Sequence, residues 1–126
     1  GRRPLSNMCP AVVTRQGGNF ALGASGGRRI FPAVMQLISF MVDHGMTLDQ
    51  AFHTPRLDVS GASLVAADTR MPADARAALA ARWKTTEVPY AVTPALYACP
   101  NAVHDLGVER HGCAFVMSPW GQVAAG

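Results

Sequence analysis

Two short segments carry the residue types and spacing that acyl-transfer chemistry needs. The first, Gly23-Ala-Ser-Gly-Gly-Arg-Arg29, stands between a β-type run and a long apolar run of helical character. At a helix start the first backbone N–H groups have no partner inside the helix, and the positive end of the helix dipole points outward. Consecutive glycines, Gly26 and Gly27, let that backbone approach a ligand without a Cβ in the way, so their N–H groups could hold an oxyanion. The same doublet equally suits a sharp strand-to-helix turn that needs positive φ. The GxxxxGK pattern is absent, which excludes a phosphate-binding P-loop. In the second segment, Leu5-Ser-Asn-Met-Cys-Pro10, the Ser6 hydroxyl and the Asn7 amide precede a strand and offer hydrogen bonds to a carboxylate. An ordinary Ser/Asn turn would use the same two residues.

Other reactive side chains form weaker patterns. Cys9, His104 and Asp105 could be assembled on paper into a thiol hydrolase, but nothing in the sequence brings them together, and Cys9 reads as a small buried side chain. The three cysteines contain no CxxC pair and leave one over in any pairing, which argues against a zinc ribbon or a disulfide framework. His111-Gly-Cys113 with His104 lacks the two paired ligand motifs of a structural zinc site, so no metal and no cofactor are expected.

The elements that must position these groups follow from periodicity. Residues 11–14 and 20–22 read as a short hairpin about the Gly17-Gly18-Asn19 turn. Residues 28–43 are apolar on nearly every face, which predicts a helix buried on more than one side, with Pro32 in its first turn and a stop at His44-Gly45. Thr47 and Gln50 form a capping-box pattern that opens a short helix ending before Pro55. Residues 72–84 predict an Ala-rich surface helix with Pro72 at its first position. Residues 88–92 and 113–117 read as strands, residues 118–121 as a turn, 122–125 as a returning strand, and 94–112 as an irregular connection. This order predicts an α+β fold, a mostly antiparallel sheet with helices packed on one face.

Composition narrows the class. The chain has 126 residues, 49% of them hydrophobic and 15% charged, enough for a single domain over 1–126 with a buried core and unlike a disordered chain. Its longest apolar stretch, residues 30–42, is too short for a bilayer span, and no secretory signal is visible. The start, Gly-Arg-Arg without Met, reads as a piece excised from something larger. Residues 1–30 carry five Arg and no acid, yet Phe20 is their only aromatic, so a small anion fits that positive field better than nucleic acid does.

Four blocks taken together, Pro4-Leu-Ser-Asn-Met-Cys-Pro10, Gly23-Ala-Ser-Gly-Gly-Arg-Arg-Ile30, Asp43-His-Gly-Met46 and residues 51–56 ending in Pro-Arg, resemble the C-terminal half of the gamma-glutamyltransferase small subunit. The resemblance implies part of the αββα sandwich of the N-terminal nucleophile hydrolases. It also implies an enzyme that transfers or hydrolyses γ-glutamyl, glutathione-type amides through an acyl-enzyme on an N-terminal Thr lying upstream of these blocks. In that family two hydroxyl residues bind the substrate α-carboxylate, and here they correspond to Ser6 and Asn7. The family's oxyanion glycines fall on Gly26 and Gly27. Asn7 departs from the usual Ser, and Arg28 from a small hydroxylic residue, which keeps open an acylase of the same fold acting on another acyl group. A parent without its nucleophile would be a carboxylate-binding module. The resemblance further implies a large-subunit partner from the same precursor, an inactive isolated piece, and an exposed apolar sheet face prone to self-association. Neither a membrane nor a nucleic acid is an expected partner, and the compartment, periplasmic or cytoplasmic, stays open.

Overall fold

The computed structural model describes all residues except 4, 62, 92–95, 116, 118–120 and 125–126. Strand β1 (Ala11–Arg15) turns at Gln16-Gly17 into β2 (Gly18–Ser25), and a single 3-10 turn (Gly27–Arg29) leads into helix α1 (Ile30–Val42). Helix α2 (Leu48–His53), β3 (Leu57–Asp58), β4 (Val65–Asp68), helix α3 (Ala73–Ala80), β5 (Thr85–Val88), β6 (Cys99–Asp105) and β7 (Arg110–Ala114) follow. The strands form two sheets, an antiparallel one of order β1-β2-β6-β7 and a smaller one of order β3-β4-β5. In the smaller sheet β3 runs antiparallel to β4, but β5 runs parallel to it because α3 carries the chain back across the sheet.

Alternation along the larger sheet explains its core. Phe20, Leu22 and Ala102 point to one face and are buried, and Ala11, Val13, Ala24 and Cys113 pack against the same cluster. Ile30, Val34, Leu37 and Met41 of α1 close over them, joined by Leu48, Ala51 and Phe52 of α2, so the helices lie on one face as expected. The opposite face is open. There Val12 pairs with Ala21, which pairs with Val103, and Val12 and Val103 remain 74% and 55% exposed. Helix α1 is covered on one side only, since Phe31, Met35 and Val42 stay exposed. The all-round apolar pattern is therefore not matched by burial within these residues.

The α2 start follows its sequence closely. The Thr47 hydroxyl accepts from the Gln50 N–H at 3.2 Å and the Gln50 side chain accepts from the Thr47 N–H at 2.9 Å, a complete capping box. Replacing Thr47 by Ala leaves the first orphan donor to water and is expected to cost about 1 kcal/mol of stability, read as a lowered urea midpoint at unchanged slope.

Several boundaries differ from the sequence reading. Helix α3 ends at Ala80, and Pro72 is its cap rather than its first residue. Strand β5 covers Thr85–Val88 and stops before Pro89 instead of running over 88–92, whose last residue lies outside the described ones, because proline cannot continue the ladder. The largest difference is in residues 94–112, read as an irregular connection: most of them build the β6–β7 hairpin, and β7 starts at Arg110, not at 113. Pro100 disguises the first strand. It sits opposite Ala24 but one residue outside the β6–β7 ladder, where the strand has a partner on one side only and a missing N–H is tolerated. Polar pairs disguise the second strand, since Arg110 stands across from Asp105 and His111 across from His104. Residues 122–124 form no strand, and most of the turn expected at 118–121 lies outside the described residues.

Candidate active site

Strand β2 leaves its ladder at the Ser25–Cys99 pair, and the chain must then swing into α1 within a few residues. Gly26 and Gly27 do this with φ of +137° and +61°, both in the region that side chains avoid. The two positions differ in their surroundings. A Cβ on Gly26 would stand 2.9 Å from the Ala98 Cα, a contact that no side-chain movement relieves, whereas a Cβ on Gly27 would meet nothing within 4 Å. The Gly26 carbonyl accepts from the Arg29 N–H at 3.3 Å, while neither the Gly26 nor the Gly27 N–H finds an acceptor among the described residues. Two exposed main-chain donors, unpaired among the described residues, thus stand at the start of α1, where negative charge is favoured.

Ser6 and Asn7 are exposed, and the Ser6 hydroxyl accepts from the Met8 N–H at 3.2 Å, the local turn that the sequence left open. The β1–β2 register begins at Ala11 opposite Leu22, so the chain preceding β1 and the chain following β2 leave the same end of the sheet. Ser6 and Asn7 belong to the segment that enters β1 at the sheet end from which β2 leaves toward the glycines.

Behind the glycine turn lies a segment that the sequence reading left without a role. The Arg29 side chain reaches Asp58 at 3.4 Å. Gln36 of α1 clamps β3 through two 2.7 Å bonds, one to the Leu57 carbonyl and one from the Leu57 N–H. Arg56, 2% exposed, donates to the Ala98 carbonyl at 3.1 Å and lies against the rings of Tyr97 and Phe115, 6.0 and 5.8 Å from their centroids. The wholly buried Asp68 accepts from the Arg70 N–H and from its guanidinium, which stacks 3.9 Å from the Tyr90 centroid. The hydrogen bond to Asp68 raises the Arg70 pKa. Burial pushes the Tyr97 phenol well above its ordinary value, with the charge of Asp68 adding to the effect. Within the sequence only the Pro-Arg pair and the acid two residues before Arg70 hinted at this cluster.

The other candidates separate. A cleft of about 530 Å³ lined by Arg15, Met46, Asp49, His104, His111 and Cys113 lies at the opposite end of the sheet, beside the β1–β2 turn. Burial, with Arg15 and His111 nearby, lowers the His104 pKa, and burial raises that of Cys113. No three His, Cys, Asp or Glu side chains among the described residues converge as a metal site. His104 pairs with Phe20, whereas Cys9 lies beyond the far end of β1, level with the last residues of β2. At the strand rise of ~3.3 Å per residue, a gap of four residues or so is more than 10 Å, so the paper triad does not form.

A four-stranded antiparallel sheet with α1 and α2 on one face, a smaller mixed sheet, and a glycine turn at the start of α1 make up an α+β arrangement. The family model for gamma-glutamyltranspeptidase matches residues 1–102, and the chain belongs to that family. It is 44% identical over 57 residues to a glutathione hydrolase proenzyme of Pseudomonas sp. strain A14, covering 44% of this chain and 10% of the relative. It is 34% identical over 90 residues to the acylase ACY 1 proenzyme of Pseudomonas sp. strain SE83, covering 71% of this chain and 16% of the relative. Among solved structures, gamma-glutamyltranspeptidase from Pseudomonas nitroreducens complexed with L-DON superposes with a TM-score of 0.75 at 20% identity, over 100% of this chain and 66% of that one. The chain thus spans about a tenth of the length of the curated relatives it matches first.

Proposed function

We propose that this chain is the C-terminal part of the small subunit of a γ-glutamyl acyltransferase or hydrolase. It supplies the oxyanion donors Gly26 and Gly27 and part of the substrate-carboxylate site through Ser6 and Asn7. The nucleophile is a Thr outside these 126 residues, whose own α-amine serves as base. It attacks the γ-amide carbonyl, the two glycine N–H groups stabilise the tetrahedral oxyanion, the amine departs, and water or an amino acid resolves the acyl-enzyme. The observation that carries this reading is the glycine pair itself, two adjacent positive-φ residues whose N–H groups have no acceptor among the described residues, at the start of α1. The open Val12–Ala21–Val103 face is where the remainder of the same precursor packs, which leaves these residues inactive by themselves.

A second reading, an acylase that takes another acyl group, is favoured by the match to the ACY 1 proenzyme over 71% of the chain and by Asn7 and Arg28 beside the site. Assaying the full-length protein with γ-glutamyl and glutaryl anilides separates the two. A γ-glutamyl preference of tenfold or more in kcat/KM is the expected result. The reverse preference establishes the acylase, and cleavage of neither by the processed protein overturns both.

A further inference from the structure

We propose that Arg56 is a positioning residue for the Gly26–Gly27 turn, acting through the Ala98 carbonyl. The inference rests on the oxyanion reading above and names the group that keeps those donors in place. The β2–β6 ladder ends at Ser25–Cys99, so Ala98, the next residue back, is held by no strand pairing. Gly26 turns directly against it, too close for any Cβ to fit between them. A shift of Ala98 is therefore a shift of Gly26, and an error of about 1 Å in catalytic geometry can cost ~100-fold in rate.

Arg56 supplies the missing restraint. Its guanidinium reaches across 42 residues of sequence to the Ala98 carbonyl and lies near the rings of Tyr97 and Phe115, the first of these adjacent to Ala98. Burying a cation is costly, and a connection that merely ran from α2 to β3 would be served by an apolar side chain. The backbone that follows Arg56 is also tied down. Its own carbonyl accepts from the Asp68 N–H at 3.3 Å, Leu57 is held by Gln36 from the middle of α1, and Asp58 by Arg29, two residues after the glycines. Residues 56–58 are thus a back plate, fastened to the turn from both the α1 side and the β6 side.

The test uses the full-length protein, with kcat counted per active site titrated by a covalent γ-glutamyl label, so that a loss of folded molecules does not register. Arg56→Met is expected to lower kcat at least 30-fold with KM changed less than threefold, and Arg56→Lys, which keeps a donor for the carbonyl, to recover part of that loss. A kcat within twofold of wild type for Arg56→Met overturns the proposal. So does a loss confined to KM. If Arg56→Met does not fold, Arg56→Lys alone decides: a five- to tenfold fall in kcat at constant KM supports the role, and an unchanged kcat overturns it. Gly26→Ala in parallel keeps the two readings apart. If it leaves kcat per site intact, the oxyanion reading fails; if it abolishes turnover while Arg56→Met does not, only the positioning role fails.

Discussion

Gly26→Ala is expected to reduce kcat of the full-length protein by roughly 10²–10³-fold, the loss that follows when an oxyanion donor is misplaced. Gly27→Ala should cost far less. Both glycines have positive φ, and both substitutions pay for a strained backbone, so conformational cost alone does not separate them. Space does. The new methyl at 26 would lie 2.9 Å from the Ala98 Cα and must push the turn away from β6, whereas the methyl at 27 points into open surroundings. The displaced turn carries both N–H groups with it, so on the proposed reading the stabilisation of the tetrahedral intermediate is lost while ground-state binding, assigned in that reading to Ser6 and Asn7, is retained. The expected signature is a fall in kcat with KM little changed. Equal losses for the two variants would show that backbone strain, not donor placement, governs the site.

Arg70→Met should destabilise the protein by about 3 kcal/mol, toward the low end for breaking a buried ion pair because the Arg70 side chain is itself partly exposed. Asp68 is wholly buried. Its two oxygens take hydrogen bonds from the Arg70 Nε at 3.0 and 3.1 Å and from Nη2 at 2.5 Å, and the Arg70 N–H adds another at 2.9 Å. Methionine preserves the aliphatic stem but removes the guanidinium, leaving a carboxylate that, among the described residues, only the Arg70 N–H still satisfies. It also removes the cation from the Tyr90 face. Asp68→Asn should cost less, since the freed Arg70 can turn toward water. Denaturant unfolding of the full-length protein distinguishes these outcomes, and a loss below 1 kcal/mol for Arg70→Met would mean that the Asp68 carboxylate is hydrated after all.

What could be read in advance was whatever depends on neighbours in sequence. The capping box at Thr47 and Gln50, the hairpin about Gly17, the helix after the glycine doublet and its end near Gly45 all arise from bonds between residues a few positions apart. Glycines 26 and 27 belong to this class, because a strand must become a helix there and only residues without side chains make the turn so sharply. Family blocks such as Pro-Leu-Ser-Asn-Met are legible for the same reason, being contiguous.

Tertiary structure decided the rest. Strand β6 contains a proline and β7 starts with Arg and His, and they form a hairpin because β2 offers a ladder on one side and cross-strand pairs such as Arg110 with Asp105 stabilise the other. Neither partner is visible locally. Arg56 and Ala98 are 42 residues apart, and Asp68 is wholly buried where β4 pairs with β5, 20 residues further along the chain. Nothing in the chain around Arg56 announces that its cation will be enclosed, since enclosure is a property of the elements that converge on it. The sequence by itself determined where two free amides would stand; the packing of β6 and the segment 56–58 behind them decided what holds those amides in place.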